Sequence, residues 1–126
     1  MTTMKKEELS SLLNSLNIPV GEGEHFLLSK GQYPKVAYWE YVWEDDMASG
    51  DDYEELVTYQ VSFASKSRRD PALLRLKRLL NEYGLHPTIY HEYVRADSGS
   101  NGPGYFHSYF SLQVYEALEA GDGTDG

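Results

Sequence analysis

Residues 44–55 form an acid-rich segment between two runs that have the pattern of β-strands. The segment holds seven of the chain's 20 acidic residues and no Lys or Arg. Unpaired charges lose far more hydration on burial than packing returns, so this segment cannot enter a hydrophobic core. We expect it to project from the flanking sheet and to meet a positively charged surface. The carboxylates assigned to this predicted acidic arm are Asp45, Asp46, Asp51, Asp52, Glu54 and Glu55.

The runs on either side of the acidic arm, residues 35–43 and 56–64, are the clearest predicted strands. The second alternates apolar and polar residues, which is the period-two pattern of a half-buried strand. The first is apolar or aromatic on both faces, and the alternation places Trp39, Tyr41 and Trp43 on the same face. Such a strand must be covered on both sides, by its own chain or by a neighbouring subunit. We predict that these three aromatic side chains belong to an interface.

Two amphipathic helices are predicted. The first lies near residues 4–16, where four leucines have the spacing of one buried stripe. The second begins at Asp70-Pro71, with the aspartate as N-cap and the proline at the first helical position. It continues to about Tyr83 and is followed by Gly84, where a left-handed cap is expected.

The rest of the chain is predicted to form a connection and a second hairpin. Residues 17–34 connect the first helix to the first hairpin, with a short strand or an anchoring contact near 25–28. The second hairpin is predicted over 86–95 and 105–116. Its joining segment, residues 96–104, is glycine-rich and too long for a tight turn, so we expect it to be mobile.

The element order α–ββ–α–ββ predicts an α+β domain, with a mostly antiparallel four-stranded sheet and helices packed on it. A chain of 126 residues is expected to form one domain with a real hydrophobic core. We place that domain at residues 1–116 and predict that the acidic tail, 117–126, is disordered.

The charge is segregated along the chain rather than evenly spread. The net charge of −9 argues against direct nucleic-acid binding, which needs cations to neutralise phosphates. Residues 44–55 and 116–126 together hold 11 of the 20 acids, which leaves nine acids against 11 Lys and Arg elsewhere. A predicted basic patch, complementary to the acidic arm, gathers six of those bases: Lys66, Arg68, Arg69, Arg75, Lys77 and Arg78.

The sequence matches few of the residue patterns that mark catalytic or cofactor-binding sites. The chain has no cysteine, which excludes disulfides and thiolate metal sites. It has no Gly-x-Ser-x-Gly elbow and no phosphate-binding glycine loop. A calcium loop starting at Asp45 has Gly50 in the required place, but Met47 and Leu56 occupy ligand positions. We predict no enzymatic activity and no cofactor.

One arrangement of histidines leaves a metal-dependent alternative open. His91 and His107 fall on neighbouring strands of the second predicted hairpin. In one register they share a face, whereas a shift by one residue separates them and places His107 beside Glu92. Two histidines and a carboxylate could hold a metal ion. Scattered surface histidines with no special role are the more common case.

The sequence gives no indication of export or of a membrane. The N-terminal residues lack the apolar stretch of a signal peptide after Lys5 and Lys6. No apolar run approaches the roughly 20 residues that cross a bilayer. We expect a soluble intracellular protein.

Several short segments occur together in a known group of small proteins. They are Ile18-Pro19-Val20, Tyr33-Pro34-Lys35-Val36-Ala37-Tyr38, an acidic loop with Asp45-Asp46, Tyr59-Gln60-Val61, and Lys66. In this order, over roughly residues 5–116, the chain resembles small tail-component proteins of long-tailed phages and prophages of Gram-positive bacteria. The nearest type is the tail terminator, or tail-to-head joining protein. The long polar segment at 96–104 departs from the shorter turn expected in that group.

The resemblance implies a non-enzymatic homo-oligomer, commonly a hexameric ring, that caps the tail tube and docks to the head connector. Such a protein acts in the host cytoplasm during assembly and then in the virion at the tail-head junction. No catalytic residue carries over from the group. A different class fits the acidic arm as well: a monomeric regulatory or immunity-type module that engages a basic partner through residues 44–55.

Overall fold

A computed structural model describes residues 4–28, 33–45, 55–95 and 104–116. Within these ranges the chain forms six strands and three helices. In chain order they are β1 Met4–Lys5, α1 Lys6–Asn14, β2 Val20–Glu22, α2 Glu24–Leu28, β3 Lys35–Asp45, β4 Glu55–Ser65, α3 Pro71–Tyr83, β5 Tyr90–Val94 and β6 Tyr105–Glu116.

The six strands belong to one curled, mixed sheet. Its order is β1-β6-β4-β3-β2, and β5 lies beside β1 on the same edge of β6. The three long strands and β5 pair antiparallel, whereas β1 pairs parallel with β6 and β2 pairs parallel with β3. The predicted fold class, an α+β domain in α–ββ–α–ββ order with a mostly antiparallel four-stranded sheet, is therefore wrong.

The error comes from the two shortest strands. β1 and β2 have two and three residues, which is too few for a period-two pattern to appear in the sequence. Each is held by parallel pairing with a long strand: Met4 lies opposite Val114, and Val20 lies opposite Val36. A short strand or an anchoring contact was expected near 25–28. The strand alternative is wrong, because that segment is helix α2, and Leu27 of this helix packs against Ala37 and Ala64.

One face of the sheet, the core face, is covered by α1 and α3. The predicted stripes of both helices are buried against it, led by Leu9 and Leu13 on α1 and Leu76 and Leu80 on α3. Each fully buried side chain of this kind stabilises the fold by about 1.5–3 kcal/mol before entropy is counted. The strands contribute Val36, Tyr38, Val57, Tyr59, Val61, Phe63, Phe110, Leu112 and Val114.

The predicted boundaries of α3 are confirmed. The Asp70 carboxylate accepts a hydrogen bond of 2.8 Å from the Ala72 N–H, and Pro71 is the first helical residue. Gly84 ends the helix in the left-handed conformation, with φ of 98°. α3 is also tied to α1, because the Arg75 side chain donates to the carbonyl oxygen of Leu16 and Tyr83 hydrogen-bonds to the Glu8 carboxylate.

Among the described residues, only helix α2 covers the opposite face of the sheet, the outer face, and it does so in part. Leu27 of α2 packs on Ala37 and Ala64, with four aromatic residues around them. Lys35 lies in this layer and is only 2% exposed, with its ammonium group 5.3 Å from the Tyr33 ring centroid. Burial lowers the pKa of Lys35. The aromatic residues of the layer are Phe26, Tyr33, Trp39 and Tyr105.

Candidate functional site

The second half of β3 is the most exposed aromatic part of the described chain. β2 covers the outer edge of β3 only from Val36 to Tyr38. Beyond that point, no strand within the described ranges pairs with this edge. Tyr41 and Trp43 are 66% and 63% exposed there. A free edge that carries large aromatic side chains is a feature of interaction surfaces rather than of solvated strands.

A β-bulge at Tyr41 sets the direction of these side chains. Glu40 lies opposite Tyr59, and Val42 lies opposite Thr58, so Tyr41 is the extra residue. The alternation reverses at the bulge, and Trp43 comes to lie opposite Val57 on the core-face side of the sheet. The prediction that Trp39, Tyr41 and Trp43 share one face is therefore wrong. Trp39 packs in the outer-face layer beside α2.

A hydrogen bond across the bulge fixes the Trp43 indole. Its Nε1–H donates to Glu40 Oε1 over 2.7 Å. Glu40, Tyr41 and Trp43 line an open recess of 350 Å³. The recess is shallow, and its acidic wall is Glu40, which is exposed. Glu44 is also exposed, but it lies opposite Leu56, on the other side of β3 from Trp43. We call this surface, Glu40 to Glu44, the edge patch.

Most of the predicted acidic arm lies outside the described residues: Asp46, Asp51, Asp52 and Glu54. The backbones of Asp45 and Glu55 are described and pair with each other at the end of the β3–β4 hairpin. The ends of the acidic arm therefore start from the same end of the sheet as the edge patch.

The predicted basic patch is divided among several environments. Lys66 lies 5.0 Å from the Tyr33 ring centroid, and Arg68 lies 5.2 Å from that of Phe106. Arg75 is held by the carbonyl oxygen of Leu16. Arg69, ahead of α3, is exposed. The structure thus does not gather the six bases into one surface.

Two of the bases do lie together on helix α3. Lys77 and Arg78 are exposed, one turn after Leu74, which is 48% exposed. Residues three and four apart are neighbours on a helix surface, so these side chains form one contiguous face. We call Leu74, Lys77 and Arg78 the α3 outer face. Arg78 makes no ion pair with another side chain of the described residues.

The two histidines of the alternative metal site are separated. Strand pairing places His107 opposite Glu92, with 2.8 Å between His107 Nδ1 and Glu92 Oε2. His91 lies opposite Ser108 on the other face of the sheet, 2.8 Å from its hydroxyl oxygen. Within the described residues, no group of three or more His, Cys, Asp or Glu side chains is placed to hold a metal ion.

His107 instead belongs to an aromatic ladder on the outer face. Its ring stacks on Tyr109 at 4.8 Å, and Tyr109 stacks on Tyr90 at 5.5 Å. Burial, with smaller contributions from Tyr33 and Glu92, raises the pKa of Tyr105 nearby. These contacts stiffen the pairing of β5 with β6.

Sequence reasoning missed the polar and apolar partners of the named site residues. Glu40 was not selected, although its carboxylate orients Trp43. Leu74 was not selected either, because it lies outside the predicted apolar stripe of α3 and no role was assigned to it. Its position gives the signal: Leu74 lies outside the Leu73, Leu76 and Leu80 stripe, so a leucine there faces solvent.

Comparisons with known proteins add no family to this description. No protein-family model and no curated protein sequence matches the chain. No helix in the described ranges is both long enough and apolar enough to span a bilayer.

Proposed function

We propose that this protein is a non-enzymatic structural component of a phage tail, of the tail terminator or head-tail joining type. It assembles as a homo-oligomeric ring, commonly a hexamer in proteins of that type, that caps the tail tube and docks to the head connector. It acts in the host cytoplasm during assembly and in the virion at the tail-head junction.

The exposed aromatic pair on the free edge of β3 carries the proposal. Tyr41 and Trp43 keep about two-thirds of their surface in solvent, at 66% and 63%. Tyr and Trp are enriched at protein interfaces because they bury large areas and keep a polar group for hydrogen bonding. A ring subunit has to present such a surface to its neighbour.

Charge segregation and the sequence resemblance support the same proposal. Acidic groups lie at the edge patch, while Lys77 and Arg78 lie on the α3 outer face. A subunit with two different, oppositely charged surfaces makes heterologous contacts, which close into a ring when the rotation between copies permits. The phage-tail assignment itself comes from the sequence resemblance over residues 5–116.

Sedimentation velocity and electron microscopy test the proposal together. We expect the purified chain to form a discrete oligomer at high concentration and low salt, and to dissociate as salt screens the charged contacts. Negative-stain images are expected to show closed rings, free or at the head-proximal end of assembled tails.

Two outcomes would contradict the proposal. One is a strict monomer at every concentration and salt, together with tails that carry no copy of the chain. The other is a monomer that binds a basic host protein with defined stoichiometry, which would support the regulatory or immunity-type alternative.

A further inference from the structure

We propose that the edge patch of one copy binds the α3 outer face of the next copy, so that the chains associate head to tail. This inference rests on the proposed function and specifies the contact through which the ring would form. It assigns a partner to two surfaces that the rest of the described fold leaves uncovered.

The two surfaces match in chemistry. The edge patch is a stretch of free strand edge with two exposed aromatic side chains and two exposed carboxylates, Glu40 on the same side of β3 as Trp43 and Glu44 on the opposite side. The α3 outer face has an exposed leucine followed one turn later by two cations. Apolar groups thus meet apolar groups, while charges of opposite sign meet at the rim. Opposite charges at a rim steer the encounter and exclude wrong partners.

The contact has to be made between copies because of the direction of α3. Leu73, Leu76 and Leu80 face the core, since they are at most 3% exposed. Leu74 and Arg78 lie on the other side of the helix, away from their own sheet. They therefore cannot reach the β3 edge of the same copy, but they are accessible to another molecule.

The edge patch is organised for binding before the partner arrives. The 2.7 Å hydrogen bond from Trp43 Nε1 to Glu40 Oε1 holds the indole in place. A side chain that is already ordered loses less conformational entropy on association. Trp and Arg are also the residue types that most often dominate binding energy, which points to Trp43 and Arg78 as the central pair.

A charge-reversal series tests the contact, with sedimentation velocity as the readout. Glu44→Lys and Arg78→Glu are each expected to raise the dissociation constant of self-association by about 10-fold or more. Combining the two reversals in one chain is expected to restore most of the affinity. Arg69→Glu is the matched control, because Arg69 is exposed and lies outside the α3 outer face. Additive weakening in the double variant, or equal effects of Arg78→Glu and Arg69→Glu, would overturn the inference.

Disulfide trapping identifies which surface the edge patch meets. The chain has no cysteine, so any disulfide between copies reports an introduced pair. Tyr41→Cys mixed with Leu74→Cys is expected to give a covalent dimer under mild oxidation. Tyr41→Cys mixed with Tyr93→Cys is the comparison, because Tyr93 is exposed on β5, the strand at the opposite edge of the sheet.

The two trapping reactions separate this inference from the proposed function. Preferential trapping of the Tyr93→Cys pair would overturn the inference in favour of strand-to-strand pairing between copies. Rings that persist unchanged in Arg78→Glu would also overturn it, while leaving the proposed ring function intact. If the unmodified chain forms no rings at all, by contrast, the proposed function itself is contradicted.

Discussion

The His107 ring and the Glu92 carboxylate face each other across strands β6 and β5, with 2.8 Å between Nδ1 and Oε2. His91 is on the opposite face of the same pair of strands, so the three groups cannot converge on one ion. We predict that calorimetric titration with zinc gives no saturable binding that depends on both histidines. A binding isotherm that is lost in both His91→Ala and His107→Ala would contradict this prediction.

The hydrogen bond between Tyr83 and Glu8 links the two core helices and depends on pH. The bond to Tyr83 and the Lys5 N–H lower the pKa of Glu8, and the bond to Glu8 raises the pKa of Tyr83 to about 12. The contribution of Glu8 to stability is therefore complete above the pKa of an unfolded glutamate and is lost as pH falls through the lowered folded value. The contribution of Tyr83 is complete below the unfolded pKa, 10.0, and is lost as pH rises through the folded one.

We predict that Tyr83→Phe lowers the urea midpoint slightly at neutral pH and weakens the acid dependence of stability below about pH 4.5. The change is small because both groups contact solvent. Tyr90→Phe serves as the control, because Tyr90 is exposed on β5 and its ring stacks on Tyr109 rather than lying on a helix. If the stability of Tyr83→Phe falls with acid just as that of the unmodified chain does, the bond does not form in solution.

The N-cap of α3 offers a clean test of local stability. Asp70 satisfies the Ala72 N–H, which otherwise has no partner within the helix. Asp70→Ala is expected to lower the free energy of unfolding by about 1 kcal/mol. Asp70→Asn is expected to retain most of this stabilisation, because the asparagine side-chain oxygen can also accept the cap hydrogen bond. Urea denaturation followed by circular dichroism measures both. Equal losses in the two variants would mean that the charge, and not the cap hydrogen bond, is the stabilising feature.

Gly21 on β2 has no room for a side chain. A Cβ atom there would overlap with Cγ of the Phe26 ring. Because the ring is packed in the layer over the outer face, Gly21→Ala is expected to cost about 1–3 kcal/mol of stability. Thermal unfolding of Gly21→Ala and of the double variant Gly21→Ala/Phe26→Leu tests whether the clash with the Phe26 ring causes the loss of stability. The smaller leucine side chain is expected to recover part of that stability. A wild-type melting temperature in Gly21→Ala would show that the ring moves aside freely.

Local chemistry explains which parts of the fold were predictable. Asp70, Pro71 and Gly84 mark the limits of α3 through cap geometry that depends only on neighbouring residues. The long strands β3 and β4 were predictable because their β-patterned runs are also a local signal in the sequence. β1 and β2 were missed because their existence depends on parallel pairing with distant strands, which leaves no local pattern.

The candidate site was predictable only in part. The type and position of Trp39, Tyr41 and Trp43 led to the prediction that they belong to an interface. The structure shows that Tyr41 and Trp43 are exposed, but the directions of the three side chains were not predicted. The bulge at Tyr41 depends on which residues of β4 lie opposite, and no glycine or proline marks it. Likewise, Arg75 and Arg78 look equivalent in the sequence. Only the packing of α3 on α1 shows that Arg75 is held by Leu16 while Arg78 remains accessible.

The parallel pairing of β1 with β6 has a consequence for biosynthesis. Met4 is fully buried beside Val114, although nearly the whole described chain separates them. This contact cannot form until β6 has been translated and has left the ribosome, and contacts between such distant residues are slow to close. Completion of the fold therefore waits until β6 has been synthesised.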